Sequence, residues 1–194
     1  MIPIVLDPSY CRLGVCGNGP MSLRRLRALR EGGADAALLF SEDPDAATIA
    51  EAGAALCRRM PTGDDLARLH ALWIVDVPDV VRAGLVAAAR AARVLVNVED
   101  RLPDCDFHSV AQVRRGDLLL TVSTGGQAAG LSSVLRRHLE VELGADWAAR
   151  LSEIAVLRER WRAEGMSMPE TARRIADHVE ARGWLTTARG HPPE

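Results

Sequence analysis

The chain has 194 residues, 48% hydrophobic and 26% charged, with a formal net charge of −2 at pH 7. That length suits one ordinary domain, or one with a smaller appendage, and the near-neutral balance lacks the basic excess of a nucleic-acid binder. Aromatic residues make up only 4%, so the core has to be built from Ala, Leu and Val. No basic segment followed by a long apolar run opens the chain, so no signal peptide is expected. No apolar run reaches the ~18 residues of a membrane span, so no membrane partner is expected either. The cysteines at 11, 16, 57 and 105 form no C-x-x-C pair. They predict a reducing cytoplasm rather than a disulfide framework, with Cys11, Cys16 and Cys57 as core fillers.

In chain order, Leu13–Cys16 reads as a strand, and Leu23, Leu26 and Leu29 recur at helical spacing until Gly32-Gly33 ends that helix. Ala36–Phe40 is a second strand, Ala46–Ala55 a helix and Leu56–Met60 a short strand. Leu72–Val77, Val80–Ala92 and Val94–Val98 follow as strand, helix and strand. Near-continuous apolar strands separated by helices predict an α/β fold with a parallel sheet covered on both faces.

After Asp100 the pattern changes. "RLPDCDFH" is a polar loop, and "GDLLLTVSTGG" is a strand with "FHSVAQVRR" as its antiparallel partner. From Leu131 the chain reads as helices. Leu131, Val134, Leu135, Leu139 and Leu143 share one face, and Trp147, Leu151, Ile154 and Leu157 form a stripe on a second helix. A third helix opens at Ser167, with Pro169 in its first turn and Glu170 three residues after the Ser, the pattern of a capped start. His70 and His178 fall in helix-like segments, as exposed or satisfied side chains. Trp147, Trp161 and Trp184 fit helix packing. The tail, residues 187–194, predicts disorder.

The stretch "LGVCGNGPMSLRRLRAL" places Gly17-Asn18-Gly19 after a strand and before a helix. Two readings fit it: a cradle for the pyrophosphate of a dinucleotide, or only a tight turn. For the first, Gly17 permits the turn, Gly19 lets backbone approach phosphate, and the helix N-terminus offers free N–H groups and partial positive charge. Glu42, 23 positions beyond Gly19 and at the end of the next strand, suits a carboxylate bonding ribose hydroxyls. Ser22 stands where a third glycine is usual, and Pro20 removes one N–H in the first helical turn.

Three motifs in order resemble the precorrin-2 dehydrogenase/sirohydrochlorin ferrochelatase family, the dehydrogenase–chelatase module of siroheme synthase. "IPIVLDPSYCRLGVCGNGPMSLRRL" is similar to that family's opening strand and glycine loop, with Arg24 and Arg25 at its Arg-Lys positions. "NVEDRLPDCDF" resembles its "N-V-V-D-x-P" segment, and "STGGQAAGLSSVLRRHLE" its "S-S-G-G-x-S-P-x-L-A" segment. The resemblance spans about residues 2 to 185.

The resemblance implies a Rossmann-type NAD-binding domain over 1–108, strands over 109–126 that pair across a homodimer, and a helical domain over 127–186. The implied chemistry is oxidation of precorrin-2 to sirohydrochlorin by NAD, with insertion of a divalent metal (Fe²⁺, or Co²⁺ or Ni²⁺) as a second reaction. It implies Asp100 as the catalytic carboxylate. Gly17, Asn18, Gly19, Pro20, Met21, Ser41, Glu42 and Asn97 are the expected cofactor-binding residues.

A carboxylate at a strand's carboxyl end, beside the dinucleotide, can accept the proton that leaves with the hydride. Metal insertion also requires loss of two pyrrole protons, which the same carboxylate can assist. The tetrapyrrole's many carboxylates would suit Ser123, Thr124, Gly125, Gly126, Arg136 and Arg137 as its binding groups, with Arg114, Arg115 and His138 nearby in sequence. Each arginine also reads as ordinary solvated charge.

Asp100, Asp104, Cys105, Asp106 and His108 lie within nine residues. They read either as a transient metal-receiving loop, with Asp100 and His108 as ligands, or as a polar turn bonding its own backbone. The family's "A-T-x-D/N" stretch after the fourth strand is absent, and "WIVDVPDVVRAG" with Asp76 and Asp79 takes its place. That departure keeps two alternatives open: a chelatase that no longer dehydrogenates, and a non-catalytic tetrapyrrole-binding relative. A dehydrogenase for another small substrate is the fallback, since fold alone does not fix function.

Overall fold

The computed structural model describes residues 1–185; the predicted tail, 187–194, lies outside them. Contacts divide the chain into two compact units, the first Met1–Ser109 and the second beginning at Val110.

The first unit runs β1 (Leu13–Cys16), α1 (Pro20–Glu31), β2 (Leu38–Phe40), α2 (Ala46–Ala52), β3 (Leu56–Cys57), α3 (Gly63–Leu66), β4 (Ala71–Ile74), α4 (Asp79–Ala91) and β5 (Leu95–Val98). The five strands are parallel in the order β3-β2-β1-β4-β5. The chain leaves β1 toward β2 and later returns to its other side with β4, so strand order reverses beside β1. Open α/β sheets place ligand crevices at the strands' carboxyl ends at such a point.

The two-residue period of the strands sorts the core. Leu13, Val15, Leu39, Ala71 and Trp73 face one side with Leu23 and Leu26 of α1 and Ala52 of α2. Cys16, Phe40, Leu72, Ile74, Val96 and Val98 face the other with Leu66 of α3 and Leu85, Val86 and Ala89 of α4. Both faces are covered, which is why these strands read as continuous apolar runs.

Several boundaries are tighter than the apolar runs predict. β2 begins at Leu38 because the Ala37 N–H bonds back to the Ala34 carbonyl. α2 stops at Ala52, where Gly53 takes φ +55 and a 3₁₀ turn follows. β3 is only Leu56–Cys57, since the Arg59 N–H turns back to Cys57. β4 ends before Val77 because Asp76 takes φ +50, outside strand geometry. The short α3 carries a single buried apolar residue, Leu66, too little for an apolar pattern, and Thr62 and Asp65 form its capping box. His70 is not helical: it precedes β4, and its Nδ1 accepts the Arg12 N–H at 2.9 Å. Of the four free cysteines, only Cys16 is fully buried.

The second unit begins with β6 (Ala111–Arg115) and β7 (Leu118–Val122), an antiparallel hairpin. It turns at Gly116, whose φ of +57 suits a tight hairpin loop. Helices α5 (Ala129–Glu142), α6 (Trp147–Ala163) and α7 (Met168–Ala181) follow. α7 opens with the predicted capping box: Glu170 Oε2 accepts the Ser167 N–H at 3.0 Å. α6 and α7 are joined through Glu153, which meets His178 at 2.9 Å and Arg182 at 2.5 Å. The Arg150 guanidinium stacks over Trp147 and Trp184. The α5 stripe is covered unevenly: Leu139 and Leu143 are half-buried, whereas Leu131, Val134 and Leu135 are exposed by 51%, 52% and 40%, so no described residue of this unit covers that end of the face. No described helix is long and apolar enough to cross a membrane.

Candidate active site

The glycine loop grows out of the sheet. The Gly17 N–H donates to the Phe40 carbonyl at 3.0 Å, and the Val75 N–H donates to the Cys16 carbonyl at 2.9 Å. The loop therefore runs hard against the end of β4: a Cβ on Gly17 would lie 1.9 Å from the Val75 carbonyl oxygen. Gly19 is the N-cap of α1, and a Cβ there would lie 2.2 Å from Oδ2 of Asp76.

Pro20 opens the helix at N1. Buried Ser22 folds back on the cap, its N–H and hydroxyl both donating to the Gly19 carbonyl, at 3.1 and 2.7 Å. This close packing is the role a third small residue plays in dinucleotide loops.

Asn18 ties the loop to the end of β2. Its Oδ1 accepts from the Ser41 hydroxyl at 3.0 Å and from the Glu42 and Asp43 N–H groups at 2.9 and 3.3 Å. Ser41 is buried and Glu42 is exposed beside it. Beneath the loop, burial pushes the Cys16 thiol up to about 12, with the Glu42 charge adding to the shift. Cys16 therefore stays a neutral core group, not a nucleophile.

At the carboxyl ends of β4 and β5 lies a groove of about 240 Å³, lined by Asp76, Asp79, Arg82, Glu99 and Arg101 with Ile74 and Val98 at its base. Ion pairs organise the rim. Arg25 of α1 holds Glu99 at 2.9 Å, and Arg101 holds Asp79 at 3.1 Å. Arg82 reaches Asp79 and Asp104 at 3.4 and 3.5 Å.

Asp100 sits between two of the lining residues, in a turn closed by the Arg101 N–H on the Val98 carbonyl. Its φ is +56, a left-handed conformation that Asp tolerates better than most residues. It is exposed, and its carboxylate has no hydrogen bond or ion pair among the described residues. Asp76 and Asp100, at the ends of adjacent strands, are thus two of three non-glycine residues with positive φ in the chain as described. Such strain concentrates at working sites.

The following loop is bound to its own backbone. Asp106 accepts the Val96 N–H at 3.0 Å and pairs with Arg90 at 2.9 Å. The Cys105 sulfur accepts the Val98 N–H at 3.2 Å. Burial raises that thiol's pKa, the Val98 N–H opposes the rise, and the Asp104 and Asp106 charges add to it. Asn97, expected at the cofactor, is buried. Its Nδ2 donates to the Phe107 carbonyl at 2.8 Å, and its Oδ1 accepts from the Ser109 hydroxyl, which in turn accepts from Trp73. Asn97 thus holds the loop that follows Asp100. His108 is half-buried, and its Nδ1 has no hydrogen-bond partner among the described residues. Among the described residues, no group of three or more His, Cys, Asp or Glu is placed to hold a metal ion.

In the second unit, Gly125 and Gly126 both take positive φ, and Thr124 ties the "STGG" turn to α5 through the Ser132 hydroxyl at 3.1 Å. Ser123 is exposed, and its hydroxyl accepts the Gly125 N–H. Arg136 pairs with Glu140, while Arg137 and His138 are exposed. Arg115 caps α5 by donating to the Leu143 and Glu140 carbonyls, at 2.8 and 3.0 Å. That makes it a structural group.

The frame of the first unit suits a dinucleotide: strand order, tight turn, small residue at position 22 and an acid at the end of β2. One group on it was not foreseen. The Asp76 carboxylate lies 3.3 Å from the Met21 N–H, at the start of α1. The sequence showed an acid near the fourth strand's end but gave no sign that it reaches this helix.

A family model described as "Putative NAD(P)-binding" matches residues 4–111. Siroheme synthase 2 of Yersinia pestis is 34% identical over 120 residues, covering 56% of this chain and 25% of that protein. Siroheme synthase 3 of Aeromonas hydrophila is 30% identical over 176 residues, covering 86% of this chain and 37% of that protein. The chain belongs to the siroheme synthase and precorrin-2 dehydrogenase family. Its fold is also that of the solved structure of SirC, precorrin-2 dehydrogenase, with a TM-score of 0.70 and 21% identity over 97% of this chain and 93% of that one. The chain spans well under half the length of these siroheme synthases, so the family match describes one module of them.

Proposed function

We propose that this family member oxidises precorrin-2 to sirohydrochlorin with NAD and assists insertion of a divalent metal, Fe²⁺ foremost, into the product. The observation that carries the reading is the Asp100 carboxylate. It is exposed, without a partner, and held in a left-handed turn at the carboxyl edge of a Rossmann sheet.

Gly17, Asn18, Gly19, Pro20, Met21, Ser41 and Glu42 would hold the dinucleotide, with Glu42 on a ribose. Bound there, NAD supplies the hydride acceptor. Asp100 then accepts the proton released as the macrocycle gains a double bond. Asn97 acts on Asp100 indirectly, by fixing the loop that follows it.

For metal insertion, Asp100 takes the pyrrole protons, and His108 is a transient contact for the incoming cation. Ser123 to Gly126, Arg136 and Arg137 are the proposed binding groups for the substrate's carboxylates. A homodimer is part of this reading. The exposed Leu131, Val134 and Leu135 and the open edges of the two-stranded sheet support it.

Anaerobic incubation with precorrin-2 and NAD is expected to yield sirohydrochlorin and NADH in equal amounts. Iron insertion into sirohydrochlorin without any oxidation of precorrin-2 would favour the chelatase-only alternative, which the Asp76 contact on α1 also favours. Neither reaction occurring would overturn the enzymatic reading.

A further inference from the structure

We propose that Asp76 is an internal competitor for the pyrophosphate of the dinucleotide, a residue that sets how tightly the glycine loop takes its ligand. The inference rests on the dinucleotide crevice proposed above. A helix N-terminus attracts phosphate through the free N–H groups of its first turn. In α1 the groups at N1, N2 and N3 are accounted for. Pro20 at N1 has no N–H. The Met21 N–H faces Asp76 Oδ2 at 3.3 Å. The Ser22 N–H is bonded to the Gly19 carbonyl at 3.1 Å. The first turn contains no acidic residue of its own, so the carboxylate that complements the helix dipole comes from the end of β4.

The backbone builds this contact. Val75 is buried, and Asp76 turns out of the strand at φ +50. The missing Cβ of Gly19 is what admits the carboxylate, since a methyl there would lie 2.2 Å from its Oδ2. Gly19 thus serves Asp76 in the free protein and would serve phosphate in the bound one. A pyrophosphate approaching α1 either displaces this carboxylate from the Met21 N–H or meets its charge at close range. For partly exposed charges a few ångströms apart, either event weakens binding by about tenfold or more.

The test is NAD titration of the full chain by calorimetry, comparing the wild type with Asp76→Asn and Asp76→Gly. Both replacements accept positive φ, so neither adds backbone strain. Asp79→Asn serves as the control, because Asp79 lines the same groove but is paired with Arg101 and Arg82. The expected result is NAD binding tightened about tenfold or more by both Asp76 variants and changed less than about twofold by Asp79→Asn. Unchanged or weaker binding in both Asp76 variants, with wild-type binding measurable, overturns the inference and leaves the NAD reading standing. Equal tightening by Asp79→Asn also overturns it, since the effect is then bulk charge. Absence of binding in the wild type and in both Asp76 variants overturns the inference and the NAD reading together.

Discussion

Asp100→Asn is expected to lower kcat for precorrin-2 oxidation by roughly a hundred- to ten-thousand-fold, the range of a positioned general base, while leaving NAD affinity unchanged. Asn accepts the left-handed backbone at φ +56 as readily as Asp does, so the substitution removes the proton acceptor without disturbing the turn. No contact is lost with it, because the carboxylate has no hydrogen bond or ion pair among the described residues. Thermal denaturation should therefore be nearly unchanged. Steady-state kinetics under anaerobic conditions checks the expectation, and a variant as fast as wild type would remove Asp100 from the chemistry.

The second large effect is on stability. Gly17→Ala is expected to destabilise the chain by about 3 kcal/mol, at the upper end of overpacking substitutions. The new Cβ would lie 1.9 Å from the Val75 carbonyl oxygen and 2.9 Å from its carbon. These are backbone atoms, and the neighbouring Val75 N–H is bonded to Cys16, so the clash cannot be relieved by rotating a side chain. The loop and the end of β4 would have to separate, at the expense of the central β1–β4 pairing. Urea denaturation followed by circular dichroism measures the loss. A variant within about 0.5 kcal/mol of wild type, the range of neutral surface substitutions, would contradict the packing role of Gly17.

Sequence periodicity carried most of the sheet because the central strands β1 and β4 are fully buried and β2 and β5 largely so, and such strands stand out as apolar runs. Strand ends were less legible. β4 ends at Ile74, three residues before the apolar pattern does, because the conformation of Asp76 is set by a turn rather than by hydropathy. The α5 stripe shows the converse. Leu131, Val134 and Leu135 have helical spacing, but whether such a face is covered depends on partners that spacing does not encode.

At the candidate site, Gly17, Gly19 and Glu42 stand out in the sequence as a motif, and Asp100 through the family resemblance; the structure places each at the end of a parallel strand or in the loop that follows one. Asn97 was expected to touch cofactor, yet both ends of its amide serve the loop after β5. An Asn at a strand's end offers the same two polar groups to either task, and only the fold of residues 105–109 shows which it serves. The contact of Asp76 with Met21 joins residues 55 positions apart. It arises because β4 lies beside β1, a neighbour relation that no local pattern carries.

The proposed function requires a dinucleotide seated where β1, β2 and β4 end. Amide chemical shifts during NAD titration of the isotope-labelled chain test that placement most directly. The predicted result is saturable shifts at Gly17, Asn18, Gly19, Met21, Ser41 and Glu42. Shifts confined to residues beyond Val110, or no shifts at high NAD, would contradict it.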